Sequence, residues 1–136
     1  MISTKFSVAI HILTLVASNE EEGTTSDFIA GSVNTNPVVI RRISAMLKKA
    51  GILDAKAGRY GYFLTKKPED LTLLDIYLAV QKQEDLFAIH DQPNPNCHVG
   101  SKIQDTLEDT FTQVQQAMEN ELAAQTLADM LKHLSP

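Results

Sequence analysis

A single cysteine, Cys97, no tryptophan and eight phenylalanine and tyrosine residues are all that a chain of 136 residues carries of thiols and rings. One thiol excludes an intrachain disulfide and any metal site built from several cysteines of one chain, and it points to the reducing cytoplasm. Long apolar stretches are equally scarce. The run Phe6 to Ala17 is interrupted by His11 and Thr14 and is shorter than the roughly 20 residues that span a bilayer. Lys5 before it imitates a secretory leader, but cleavage near Ser18 would remove a helix with a good inward stripe, so the run is expected to be structural and the protein to avoid the membrane. The chain has no glycine loop to cradle phosphate, no paired-histidine metal motif and no nucleophile elbow, which argues against an enzyme. What remains is a hydrophobic fraction of 43%, enough for one domain with a real core and an appendage.

Charge is distributed unevenly. Between Phe28 and Lys67 stand eight bases (Arg41, Arg42, Lys48, Lys49, Lys56, Arg59, Lys66, Lys67) against one acid, Asp54, a net of +7 in a chain whose total is −5. Attraction to a polyanion acts over about a Debye length, ~10 Å at 0.1 M salt, so a local basic face outweighs net charge.

The pattern of apolar residues predicts a mainly α-helical protein with a small β-hairpin. Ser3 caps a first helix to about Ser18 with an inward stripe of Phe6, Ile10, Leu13 and Val16 or Ala17. Thr24 or Thr25 caps a short second helix, Asp27 completing a box from Thr24, with Phe28, Ile29 and Val33 on its buried side. Ala30, Val33 and Asn34 then have the spacing of a helix-turn-helix, asparagine being tolerant of the left-handed backbone expected at the turn. Asn36 and Pro37 start the next helix. On it Val39, Ile40, Ile43, Met46 and Leu47 face inward, while Val38, Arg41, Arg42, Ala45, Lys48 and Lys49 face outward, and Gly51 stops it. Strands over 52–56 and 62–65 enclose a loop of glycine and cation, a wing. Leu71 to Ile76 carries a full helix start, with Thr72 as cap, Asp75 at the third position and Leu71 stapled to Ile76, for a helix to about Gln83. An irregular loop fills Phe87 to Gly100. Beyond it Ile103, Leu107, Phe111, Val114, Met118 and Leu122 mark one narrow stripe on a long helix, which must lie against a neighbour or a twin. Thr126 caps a last short helix.

These pieces, in this order, resemble the Rrf-two family of bacterial winged-helix transcriptional regulators. The resemblance rests on Phe6-Ser7-Val8-Ala9-Ile10-His11, Asn34 to Ile43, Leu47-Lys48-Lys49-Ala50-Gly51-Ile52-Leu53, Leu71 to Ile76 and Thr126-Leu127-Ala128. It implies a winged helix-turn-helix over 1–83, followed over 84–136 by a loop and dimerisation helices. Members that hold an iron–sulfur cluster use three nearby cysteines after the fourth helix. With Cys97 alone, no such cluster and no other cofactor is expected. The arginine that enters the minor groove in the family's wing has Ala57 in its place, and Arg59 lies two residues later.

The functional expectation is a homodimeric repressor of duplex DNA that reads an inverted repeat. Helix 36–50 enters the major groove and the wing at 57–61 lies near the minor groove. From the start of that helix Asn36, Val38, Arg41 and Arg42 reach base edges, and Lys48 and Lys49 touch phosphate. Arg59 and Tyr60 meet the minor groove or backbone, and Lys5 meets phosphate beside the free N–H groups of the first helix. A solvated face is the ordinary account of charges on a helix; here no acid intersperses them and the wing adds more cations. His90, Cys97 and His98 are either a loop that happens to contain them or a sensor, Cys97 being activated by a helix starting near Ser101, and His11 is a packed histidine. The alternative function is a winged-helix module that binds a protein and no specific DNA. A third reading is metal or thiol chemistry around Cys97. An effector or partner protein is left open.

Overall fold

Side chains placed at turn positions decide where most of the helices begin. The computed structural model describes residues 3–56, 58–81 and 86–135, and among them the order is α1 (Thr4–Ser18), α2 (Ser26–Val33), α3 (Pro37–Lys49), β1 (Leu53–Asp54), β2 (Phe63–Leu64), α4 (Leu73–Val80), α5 (Ile103–Ala124) and α6 (Leu127–Leu134). Ser3 accepts from the Lys5 amide, Thr25 from Phe28 and Asn36 from Val38, each satisfying an N–H that the first turn leaves free. Thr72 with Asp75 and Thr126 with Asp129 form two complete capping boxes. Helix α5 has no side-chain cap at Lys102.

Three expectations need correction. Thr25, not Thr24, caps α2, because Thr24 is buried and pairs as an isolated bridge with Tyr62 at the base of the wing. Phe28 is 57% exposed; the short α2 buries Ala30 beside the expected Ile29. On α1 the deepest residues are Ala9, Ile12, Leu13 and Val16, with Phe6 and Ile10 only half-buried. The stripe is therefore rotated from the expected one. Helix α4 stops at Val80, short of Gln83, which lies outside the described residues along with Ala57.

Helices α1 to α4 enclose one core, to which β1 adds Leu53. The hairpin is shorter than expected and antiparallel, with Leu53 opposite Leu64 and Asp54 opposite Phe63. Gly61 lets it sit against the α1–α2 link: its φ is +88°, and a Cβ there would meet the Thr24 backbone 2.5–2.6 Å away. The chain end also belongs to this core. Leu127 has no exposed surface, its amide donates to the Leu71 carbonyl at 2.8 Å, and the Leu73 amide donates to that of Gln125 at 2.9 Å. The extended caps Thr72 and Thr126 thus pair as an antiparallel bridge, so α4 and α6 start side by side.

That arrangement gives α6 an acid-labile anchor. The Asp129 carboxyl is held below its ordinary value near 3.8, first by the Thr126 backbone N–H, then by the Thr126 hydroxyl and the nearby Lys132 and His133. A lowered folded-state pKa contributes stability that is present above the ordinary value and is lost as pH falls through the folded one. Hydrogen exchange of the α6 amides, corrected for intrinsic rates, is expected to lose protection in that acid window. In Asp129→Asn the same amides should show no such pH dependence.

Candidate nucleic-acid interface

The turn between α2 and α3 sets the pose of the outer helix. Asn34 adopts the left-handed conformation, φ 62° and ψ 52°, and the Thr35 amide closes the turn on the Ala30 carbonyl at 3.0 Å. Ile40, Ile43 and Leu47 are buried behind α3, which makes the helix a rigid part of the core and not a hinged arm. On its outer side Val38, Arg41, Arg42, Ala45, Lys48 and Lys49 are all exposed, Val38 to 50%. The expected division of α3 into an apolar and a cationic face is what the fold contains.

The cations differ in how freely they move. Arg41 leans on α2, its Nη1 donating at 3.5 Å to the Ser26 hydroxyl, a long contact that orients the guanidinium without holding it tightly. Lys48 lies 3.8 Å from Asp54 of β1, both side chains well exposed. Such a pair contributes at most about 1 kcal/mol and yields readily to phosphate. Nothing in the helix pattern pointed to it, because the partner arrives from the wing. Asn36 commits its Oδ1 to the Val38 amide at 2.8 Å, leaving its amide nitrogen for an outside acceptor.

The wing differs most from expectation. Arg59 is not free at the tip: its guanidinium lies over the Phe63 ring at 5.3 Å, and Lys56 lies over the same ring at 4.7 Å. Cation–π contacts of this kind hold two positive charges beside one ring. Tyr60, 88% exposed, is the projecting residue. Lys5 sits with Lys49, Met46 and Leu78 around a groove at the far end of α3, so it extends the basic face at the exit of that helix and not at its start.

The stripe on α5 is divided. No residue of this helix is fully buried, yet Leu122 packs against the core and Phe111 stacks on Phe87 at 4.7 Å. Ile103, Leu107 and Met118 are half-buried, and Val114, 45% exposed, turns outward. Cys97 and His98 are exposed. The Cys97 thiol is pushed below its ordinary value by the Gly100 and Val99 amides, the work of a turn and not of a helix at Ser101, since α5 begins only at Ile103. His11 is half-buried, and its Nε2 lies 2.9 Å from the Ser32 hydroxyl on α2.

Comparison with known proteins bears on this face. The family profile described as Rrf2, an iron-dependent transcriptional regulator, matches residues 2–133. YwnA of Bacillus subtilis (strain 168), described as a candidate HTH-type transcriptional regulator, is 56% identical over 134 residues, covering 98% of this chain and 99% of its own. The crystal structure of a candidate DNA-binding protein shares 50% identity at a TM-score of 0.76, covering 93% of this chain and 98% of that one. CymR (YrzC), the global cysteine regulator of Bacillus subtilis, shares the fold at a TM-score of 0.74 and 21% identity, with 97% and 96% covered.

Iron in the family description raises the question of whether this chain fits a cluster. It offers one exposed thiol, and among the described residues no three His, Cys, Asp or Glu side chains stand close enough to share a metal ion. The donor set does not fit. With a winged helix-turn-helix fold, an exposed basic helix and a match over nearly its whole length, the chain belongs to the Rrf2 (Rrf-two) family of DNA-binding transcriptional regulators, which are not enzymes.

Proposed function

We propose that this chain is a cytoplasmic, homodimeric repressor that reads an inverted repeat in duplex DNA. Residues 1–83 form the DNA-binding part, and residues 84–136 form the loop and the helices through which two copies associate. The observation that carries the reading is the outer face of α3, where four cations and no acid of that helix stand exposed on a scaffold locked by Ile40, Ile43 and Leu47. Asn36, Val38, Arg41 and Arg42, near the helix start, meet base edges in the major groove, an arginine pairing with guanine O6 and N7. Lys48, Lys49 and Lys5 meet phosphate and set the register. Tyr60 leads the wing towards the minor groove, with Arg59 following once it leaves the Phe63 ring. Two copies related by a two-fold axis present two such faces to half-sites about 34–36 Å apart, or a multiple of that. An occupied promoter then excludes polymerase.

Titration with DNA from upstream of its own gene at two salt concentrations tests this. Neutralising several phosphates makes affinity fall steeply as salt rises, whereas a winged helix that binds only protein would show weak affinity with little salt dependence. Arg41→Ala is expected to cost about 1–3 kcal/mol at the preferred site and much less on random duplex. An equal loss on both would reduce Arg41 to a phosphate contact.

A further inference from the structure

Away from the basic face, α1 and α6 leave a groove of about 450 Å³ between them, within the range of small-molecule sites. Its walls are mostly apolar, from Ile10 and Leu15 on one side to Met130 and Leu134 on the other, and among the described residues no Asp, Glu, Lys or Arg side chain lines it. The polar groups present have a definite sense. The hydroxyls of Ser7, Thr14 and Ser18 each donate their proton within α1, to the carbonyls of Thr4, His11 and Thr14 at 3.0, 2.8 and 2.7 Å. Only oxygen lone pairs remain on these three hydroxyls for a visitor, so each of them accepts hydrogen bonds. The imidazoles of His11 and His133 complete the lining.

One of those imidazoles leads out of the groove. His11 Nε2 meets the Ser32 hydroxyl at 2.9 Å, and Ser32 lies on α2, two residues before the left-handed Asn34 that fixes the angle of α3. A ligand that engages Nε2 of His11 competes with Ser32 for it and loosens the tie between α1 and the first helix of the helix-turn-helix.

We infer that the α1–α6 groove is an effector site for an uncharged molecule with an aromatic or aliphatic body and an N–H or O–H donor, such as an aryl amine, phenol or indole. Its occupancy reaches the DNA-binding face through His11 and Ser32. The binding half stands on the groove alone; the signalling half rests on the repressor reading.

Phenylnaphthylamine, an uncharged fluorophore with one N–H, is a suitable probe for the full-length chain. Saturable fluorescence enhancement is expected, with affinity about ten-fold weaker for the N-methyl derivative, which has no donor. Leu134→Lys places a charge in the groove from a position that is 68% exposed, so the fold should survive and probe affinity should drop about ten-fold or more. Bound probe should change affinity for upstream DNA about five-fold or more, within the usual range of allosteric coupling. In Ser32→Ala the probe should still bind and that response should vanish. The site is refuted by the absence of saturable enhancement, by indifference to Leu134→Lys or to N-methylation, or by enhancement seen only at dilutions where sedimentation finds monomer, which would assign the groove to a second copy. A DNA affinity unmoved by bound probe refutes the coupling. Fluorescence decides the site whether or not DNA binds, so a chain that ignores its upstream DNA would retire the repressor reading alone.

Discussion

Val114→Glu is expected to turn the proposed dimer into a monomer and to weaken operator binding about a hundred- to ten-thousand-fold, the range by which linking two sites exceeds either alone. In that dimer two-fold symmetry would place the new carboxylate at the interface twice, and a charge removed from water without a partner is strongly unfavourable. Val114 is the better position than Phe111 because it is 45% exposed within one chain, whereas Phe111 already stacks on Phe87 and its loss would also disturb the loop before α5. Sedimentation at micromolar concentration and an operator titration measure the two effects. If the variant sediments as the parent does and binds DNA equally well, two copies do not meet through α5.

Leu127→Ala should cost about 2–5 kcal/mol, the usual range for emptying a buried leucine site. Leu127 has no exposed surface and shares its core with Ile40, Ile43 and Leu47, the residues that hold α3 in place. Urea unfolding of the variant is therefore expected to remain one cooperative transition with a lower midpoint. A separate early transition with little change in the main one would mean that α6 is an appendage.

What was legible in the sequence was chemistry between near neighbours. The caps Ser3, Asn36 and Thr72, the left-handed Asn34 and the stop at Gly51 each depend on residues within about one turn, and all occur as expected. The face of α3 was legible because thirteen residues sample every direction of the helix several times. Helix α2 has eight, too few to tell Phe28 from Ala30 as the inward residue. Thr24 and Thr25 are equally good caps locally; only the Tyr62 bridge separates them. The contacts that adjust the site, Lys48 with Asp54 and Arg59 over Phe63, join the basic face to the wing or cross the hairpin. Their partners are chosen by tertiary placement, so neither appears as a spacing. Likewise, α5 announced its stripe, but its periodicity did not reveal that Leu122 packs within the chain.

The bridge between Thr72 and Thr126 has a mechanical corollary. It fastens the far end of α5 to residues 65–72, which follow β2, so the hairpin, the long helix and, through the core that Leu127 shares with Ile40, Ile43 and Leu47, α3 have one mount. If the two long helices of a dimer roll over each other, the displacement reaches the wings and the α3 faces together. The tilt of the hairpins and the distance between the two α3 faces would then be one adjustable quantity.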